Sequence, residues 1–198
     1  MNEVKTIRLN TAVTTSSSVY HTYATSAVST GTQNYILLPL YQASETVPEE
    51  TGKYSVFDIA DWFLNKSEMT HKKLQKLCYY AQAWCCVLKG YRLEDTDYQA
   101  WIHGPVSPAL WEKFKSFGYD TIRIRGNVNI SLSDEDEKLL EDIWDTYGDS
   151  SGNSLEALSQ RELPWLEARR GYAPGEKCNV VISSETMSSF YRSIYCGD

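Results

Sequence analysis

Between Thr70 and Gly90 the apolar residues Leu74, Leu77, Cys78, Ala81, Trp84, Cys85 and Leu88 recur at three- and four-residue steps. Only one face of an α-helix has that spacing. The pattern predicts a helix over about residues 71–89, roughly 28 Å long at 1.5 Å per residue. Thr70 supplies an N-cap hydroxyl for the first free amides. Gly90 stands where a left-handed residue ends a helix at least cost. No other segment is as long and as hydrophobic, so this helix is expected at the centre of the fold.

Punctuation places other helices around it. Ser55-x-x-Asp58 and Ser133-x-x-Asp136 are capping boxes, each leading into an apolar-periodic run. The first run is expected to end near Asn65 and the second to stop at Gly148. Ser107-Pro108 is a cap followed by a residue whose missing N–H costs nothing in a first helical turn. Its helix should stop at Gly118. Ser154, Pro164 and Ser183 or Ser184 open three shorter helices. Tyr98–Ile102 reads as a short strand, and Ile122, Ile124, Val128 and Ile130 alternate around Gly126-Asn127 as a β-hairpin. The fold class expected is α+β: a mainly α-helical single domain with a central hydrophobic helix and a small β-hairpin.

Residues 1–53 differ in composition. They are rich in Ser and Thr and include β-like pieces at Val4–Leu9, Val19–Ala24 and Tyr35–Tyr41. They read either as a small β appendage or as a flexible polar arm. The acidic SETVPEETGK then reads as a linker, leaving residues 54–195 as the domain. The 198 residues suffice for one domain and an appendage without disulfide staples.

The formal net charge is -7, so the protein's field opposes association with nucleic acid. No run of about 18 apolar residues exists to span a membrane. The opening MNEVKTIRLN lacks the apolar core of a signal peptide. With five cysteines and no C-x-x-C spacing, reduced thiols in a cytoplasmic protein are expected. The histidines 21, 71 and 103 complete no zinc pattern, so no metal and no cofactor is expected.

Catalytic patterns are equally thin. There is no G-x-S-x-G elbow, P-loop or G-x-G-x-x-G. A thiol-dependent enzyme would pair Cys78 with His71 or His103. His71 lies nearly two turns, about 10 Å, from Cys78 on one helix, and Cys78 itself falls on the apolar stripe, where burial makes a thiol inert. His103 reads instead as a loop side chain bonded to backbone. The acidic run 134–137 reads as a solvated helix N-terminus, and Trp62, Trp84 and Trp111 as core. Lys72, Lys73, Lys76 and Tyr80 fall together on the first turns of the central helix. They are either a solvated face or a partner-binding patch for an acidic protein.

The run MTHKKLQKLCYYAQAW, then YQAWIHGPVSPALWEKF, WDTYG and PWLEAR, resembles the Panacea (SocA-like) antitoxin domain family, which includes GepA-type phage-associated proteins. The motif residues are Leu74, Gln75, Lys76, Leu77, Tyr79 and Tyr80, with Trp101, Gly104, Pro105 and Val106. Ser159-Gln160 stands where family members often carry Thr-His. The resemblance implies an antitoxin that neutralises a cognate toxin protein by direct binding, in a bacterial or prophage toxin–antitoxin system. It also implies an alternative, an adaptor that delivers the bound toxin to a Clp-type protease. In either case the motif encodes the fold, and the more variable surface encodes the partner.

Overall fold

A computed structural model describes residues 52–123 and 130–195. The expected β pieces of residues 1–50, the Gly126-Asn127 turn and Cys196 lie outside them. In chain order the helices are α1 (Val56–Lys66), α2 (His71–Leu88), α3 (Pro108–Phe114), α4 (Asp134–Tyr147), α5 (Gly152–Ser159), α6 (Leu163–Ala168) and α7 (Ser184–Ile194). The strands are β1 (Met69–Thr70), β2 (Gln99–Trp101), β3 (Gly104–Val106) and β4 (Thr121–Ile122). The mainly helical α+β reading holds.

Hydroxyl caps set most of the helix starts. The side chains of Ser55, Thr70, Ser107, Ser133 and Ser183 accept from amides of the turns they open. The cap of α5 is Ser151, not Ser154: the Ser151 hydroxyl accepts from the Ser154 amide, three residues on. Gly90 has φ 77° and ends α2 as expected. Gly148 ends α4 for a different reason. Its backbone is right-handed, but a Cβ there would sit 2.4 Å from the Trp144 carbonyl oxygen.

α2 is the centre, and it is sheathed on every side. From Leu74 to Leu88 each residue is buried, against α7, α5, α4, α1, α3 and β3. The expectation of one apolar face and one exposed face is therefore corrected. Its polar residues are matched instead of solvated. Gln75 Oε1 accepts from the Ser107 amide at 2.8 Å, and its Nε2 donates to the Ser107 carbonyl at 3.1 Å. Gln82 Oε1 accepts from the Glu94 amide at 2.9 Å. A buried backbone group left unpaired would cost about 1–3 kcal/mol, so these two glutamines fix the loops that pass α2.

The hairpin among the described residues is β2–β3, while the turn expected at Gly126-Asn127 lies outside them. β2 and β3 are antiparallel, with Ala100 opposite Pro105 and Trp101 opposite Gly104. Only Ile102 and His103 stand between them, and the positive φ of 88° falls on Gly104. Ile122 pairs with Met69 in the β1–β4 ladder. Residues 180–182 run along the free edge of β2: the Ala100 amide donates to Val180 O, and the Ile182 amide to Tyr98 O.

Cys78, Cys85, Cys86 and Cys178 are unpaired and buried. Burial pushes the Cys86 thiol up to about 12 and those of Cys78 and Cys85 well up, so none of these three is a ready nucleophile. Alkylation of the folded protein should be slow at all four. After denaturation without reductant, all five cysteines should label; a mass deficit marking a disulfide would contradict the reduced state.

Candidate functional site

Three stretches distant in sequence enclose a cavity of about 570 Å³ beside the start of α2. The first is Thr70–Lys76, the second runs from Trp101 to Tyr119, and the third is Ser151–Asn153 at the start of α5. Its inner wall is buried: His71, Gln75, Lys76 and Val106. Its rim is open, with Trp111 38% and Tyr119 95% exposed. The indoles of Trp101 and Trp111 meet edge to face at 5.5 Å, an attractive aromatic geometry.

Lys76 is the unusual group. It is 1% exposed, and its ammonium donates to the Pro105 carbonyl at 2.8 Å. Burial pushes its pKa down to about 7, with the negative charge of Glu156 acting the other way. Gly104 is required by this packing, since a Cβ there would lie 2.9 Å from Lys76 Nζ and 2.8 Å from Ser159 Oγ. His71, on the previous turn, is held at about 4 by burial and by the Lys76 charge, so it is neutral near pH 7. Its Nε2 faces Gln75 Nε2 at 3.0 Å.

The four residues expected to form one partner-binding face do not. Lys72 is half-buried, and its ammonium pairs with Glu156 at 2.5 Å and donates to Asn153 at 3.0 Å. Lys73 turns away, donating to the Gly148 carbonyl with its ammonium 5.5 Å from the Trp144 ring centre. Lys76 is enclosed, and Tyr80 is 0% exposed. The reason is tertiary: α5 and β3 cover Lys76, while Glu162, Tyr147 and α7 cover Tyr80. His103 also differs from expectation. Its Nδ1 lies 2.8 Å from the Glu156 carboxylate, not on a backbone group. Trp62 and Trp84 are core, whereas Trp111 stands on the cavity rim.

Three buried carboxyls are not read as such in the sequence: Asp136, Glu162 and Glu94, the last holding the Tyr98 hydroxyl at 2.5 Å. Asp136 lies within the acidic run read as solvated, but its side chain is fully buried. It accepts from Tyr54 at 2.7 Å, Lys53 at 2.6 Å, Ser133 at 2.6 Å and Tyr91. These partners outweigh desolvation and hold its pKa at about 2. Glu162 accepts from Tyr191 at 2.6 Å and Tyr80 at 3.3 Å. Tyr80 stacks on Tyr147 at 4.3 Å, and the Tyr147 hydroxyl accepts from Trp84 Nε1 at 3.0 Å. Burial pushes the Glu162 carboxyl up to about 8, and the tyrosine hydroxyls only partly offset it. The capping pattern at Ser133-x-x-Asp136 was a signal for the first; no local pattern marks the second.

The residues that pin α2 to the β2–β3 hairpin and to α6 are Gln75, Lys76, Tyr80, Gly104 and Pro105, with Glu162 opposite. Residues 74–166 match the family model described as antitoxin SocA-like, Panacea domain. The matched segment begins within α2 and ends within α6, so it contains Lys76, the hairpin and Glu162. Thr70–Lys72 and Tyr191 lie outside it. No curated protein and no solved structure matches the chain. Among the described residues no helix is long and apolar enough to cross a membrane, and no three His, Cys, Asp or Glu side chains are grouped to hold a metal ion.

Proposed function

We propose that the protein is an antitoxin that binds a cognate toxin protein in the cytoplasm and neutralises it directly, without catalysis. The observation that carries this reading is the match of residues 74–166 to the SocA-like Panacea domain. The surface is compatible with a protein partner. Leu163 and Leu166 of α6, Ile102 of the β2–β3 loop, and Val180 and Val181 are each 39–46% exposed. Hydrogen bonds tie these segments together: Trp165 Nε1 donates to the Trp101 carbonyl, and Gln160 Nε2 to the Ile102 carbonyl. Gathered exposed aliphatic groups mark interaction sites more often than scattered single ones. Of the lysines at the start of α2, Lys72 is the one placed at an open rim.

The test is co-expression with the neighbouring gene. Growth should be rescued, and the two proteins should purify together. Leu166→Glu should fold normally, since surface changes typically alter stability by about 0.5 kcal/mol or less. It should lose rescue, because a charge placed inside an interface repels as well as removing contact. Rescue that persists in a host lacking Clp proteases supports direct neutralisation. Rescue that disappears there supports the delivery alternative, and the absence of any rescue or complex rejects both.

A further inference from the structure

The cavity beside α2 carries chemistry that a protein interface on α6 and residues 180–181 does not use. On a chain of net charge -7, its lining includes two lysines, two histidines and two tryptophans, and no carboxylate. When protonated, Lys76 carries three N–H donors. Its one hydrogen-bond acceptor among the described residues is the Pro105 carbonyl. Enclosing its charged form this deeply is costly, which is why burial pulls its pKa down to about 7, and an anion bound beside it would restore the charge. A Cβ at position 104 would lie 2.9 Å from Lys76 Nζ, so Gly104 leaves room for that group. Glu156 pairs with Lys72 and His103 from outside the lining and its charge also acts on Lys76, while the lining itself contributes no negative group.

The lining also carries flat aromatic surface beside these polar groups. Trp101 and Trp111 stand at an interplanar angle of 61° and form a corner. An aromatic ring can pack against one indole face and the edge of the other. The volume of 570 Å³ falls within the range of small-molecule sites. It is several times what one carboxylate side chain from a partner protein would fill.

We infer that this cavity binds a small organic anion bearing an aromatic ring, of the kind represented by nucleoside monophosphates and aryl carboxylates. The acid group sits against Lys76 and the lysine at position 72, and the ring sits in the Trp101–Trp111 corner. The binding is independent of the toxin reading and holds for the chain alone.

Isothermal titration of the full chain with four probes tests it: AMP, 4-hydroxybenzoate, adenosine and inorganic phosphate. AMP or 4-hydroxybenzoate should bind saturably, and adenosine and phosphate at least about tenfold more weakly, since each lacks half of the recognised chemistry. Binding by AMP alone assigns a nucleotide, and binding by 4-hydroxybenzoate alone an aryl acid. Lys76→Gln should weaken the anion about tenfold or more, as expected for a lost charge-assisted hydrogen bond. Trp111→Ala, at the exposed rim, should keep the melting temperature and weaken binding as well. If Lys76→Gln fails to fold, Lys72→Gln and Trp111→Ala carry the same test. Failure of both anions to bind, adenosine binding as tightly as AMP, or anion affinity unchanged in every folded variant would each overturn the inference.

Discussion

Leu77→Asp and Trp84→Asp should each leave the chain insoluble. Both side chains lie in the middle of α2, at 0% and 1% exposure. Trp84 also donates its indole N–H to Tyr147 and packs edge-on against Tyr191 at 5.2 Å. Replacing either removes a large apolar group from a closed core, which costs about 2–5 kcal/mol. The new carboxylate then has to be buried without a partner or take up a proton, for several kcal/mol more. A domain of this size has a net stability of only about 5–15 kcal/mol. Leu77→Met, which nearly keeps the volume, should cost less than about 1.5 kcal/mol and remain soluble. The soluble fraction on expression and the thermal melt decide the matter. Aspartate variants that are soluble with an unchanged melt would refute the central placement of α2.

The bounds of α2 were legible because three local signals agree: the spacing of Leu74 through Leu88, the Thr70 hydroxyl and the Gly90 backbone. Its environment was not. Periodicity marks where the apolar residues fall and is silent on a polar residue with a tertiary partner. Lys76 and Tyr80 looked like surface because their partners, Pro105 and Glu162, lie on segments that local pattern cannot bring together. One sequence signal did point inward: Leu77 to Leu88 contains no charged residue. A helix without a charged face is a buried helix.

The hairpin shows the same limit from the other side. β2 and β3 meet across Ile102-His103, where neither residue favours a turn. The ladder is imposed by its surroundings. Residues 180–182 pair with one edge of β2, Trp165 and Arg169 donate to its Trp101 and Ala100 carbonyls, and Lys76 holds the Pro105 carbonyl of β3. The cavity was invisible for a related reason. Its lining comes from three stretches that become neighbours only after α5 packs on α2. The motif residues Gln75, Lys76, Gly104 and Pro105 have a related explanation: Lys76 holds the Pro105 carbonyl, Gly104 leaves room for that contact, and Gln75 holds Ser107 just after β3.

Glu162 should make the natural chain lose stability with rising pH relative to Glu162→Gln. In the folded protein its carboxyl is pushed up to about 8 by burial, against a reference value of 4.5. Around it stand Tyr79, Tyr80, Tyr147 and Tyr191, all with hydroxyls pushed upward as well. The folded state therefore binds a proton more tightly at this site than the unfolded state does. That stabilisation is fully present below about pH 4.5. It declines as pH rises toward 8, where the folded group also ionises, because stability falls with pH wherever the folded state holds more protons. At 1.36 kcal/mol per pKa unit the whole change is on the order of 5 kcal/mol. Glutamine copies the shape of the neutral acid and keeps an acceptor for Tyr191 and Tyr80, so the variant should match the natural chain within about 1 kcal/mol at pH 5. It should then exceed it progressively up to pH 8 or 9. Other titrating groups, Glu94 and Asp136 among them, are common to both proteins and cancel in the difference. Urea denaturation of both proteins across this range measures it. A stability difference that does not change with pH would mean that Glu162 ionises as an ordinary carboxylate, and that the tyrosine cluster is open to water.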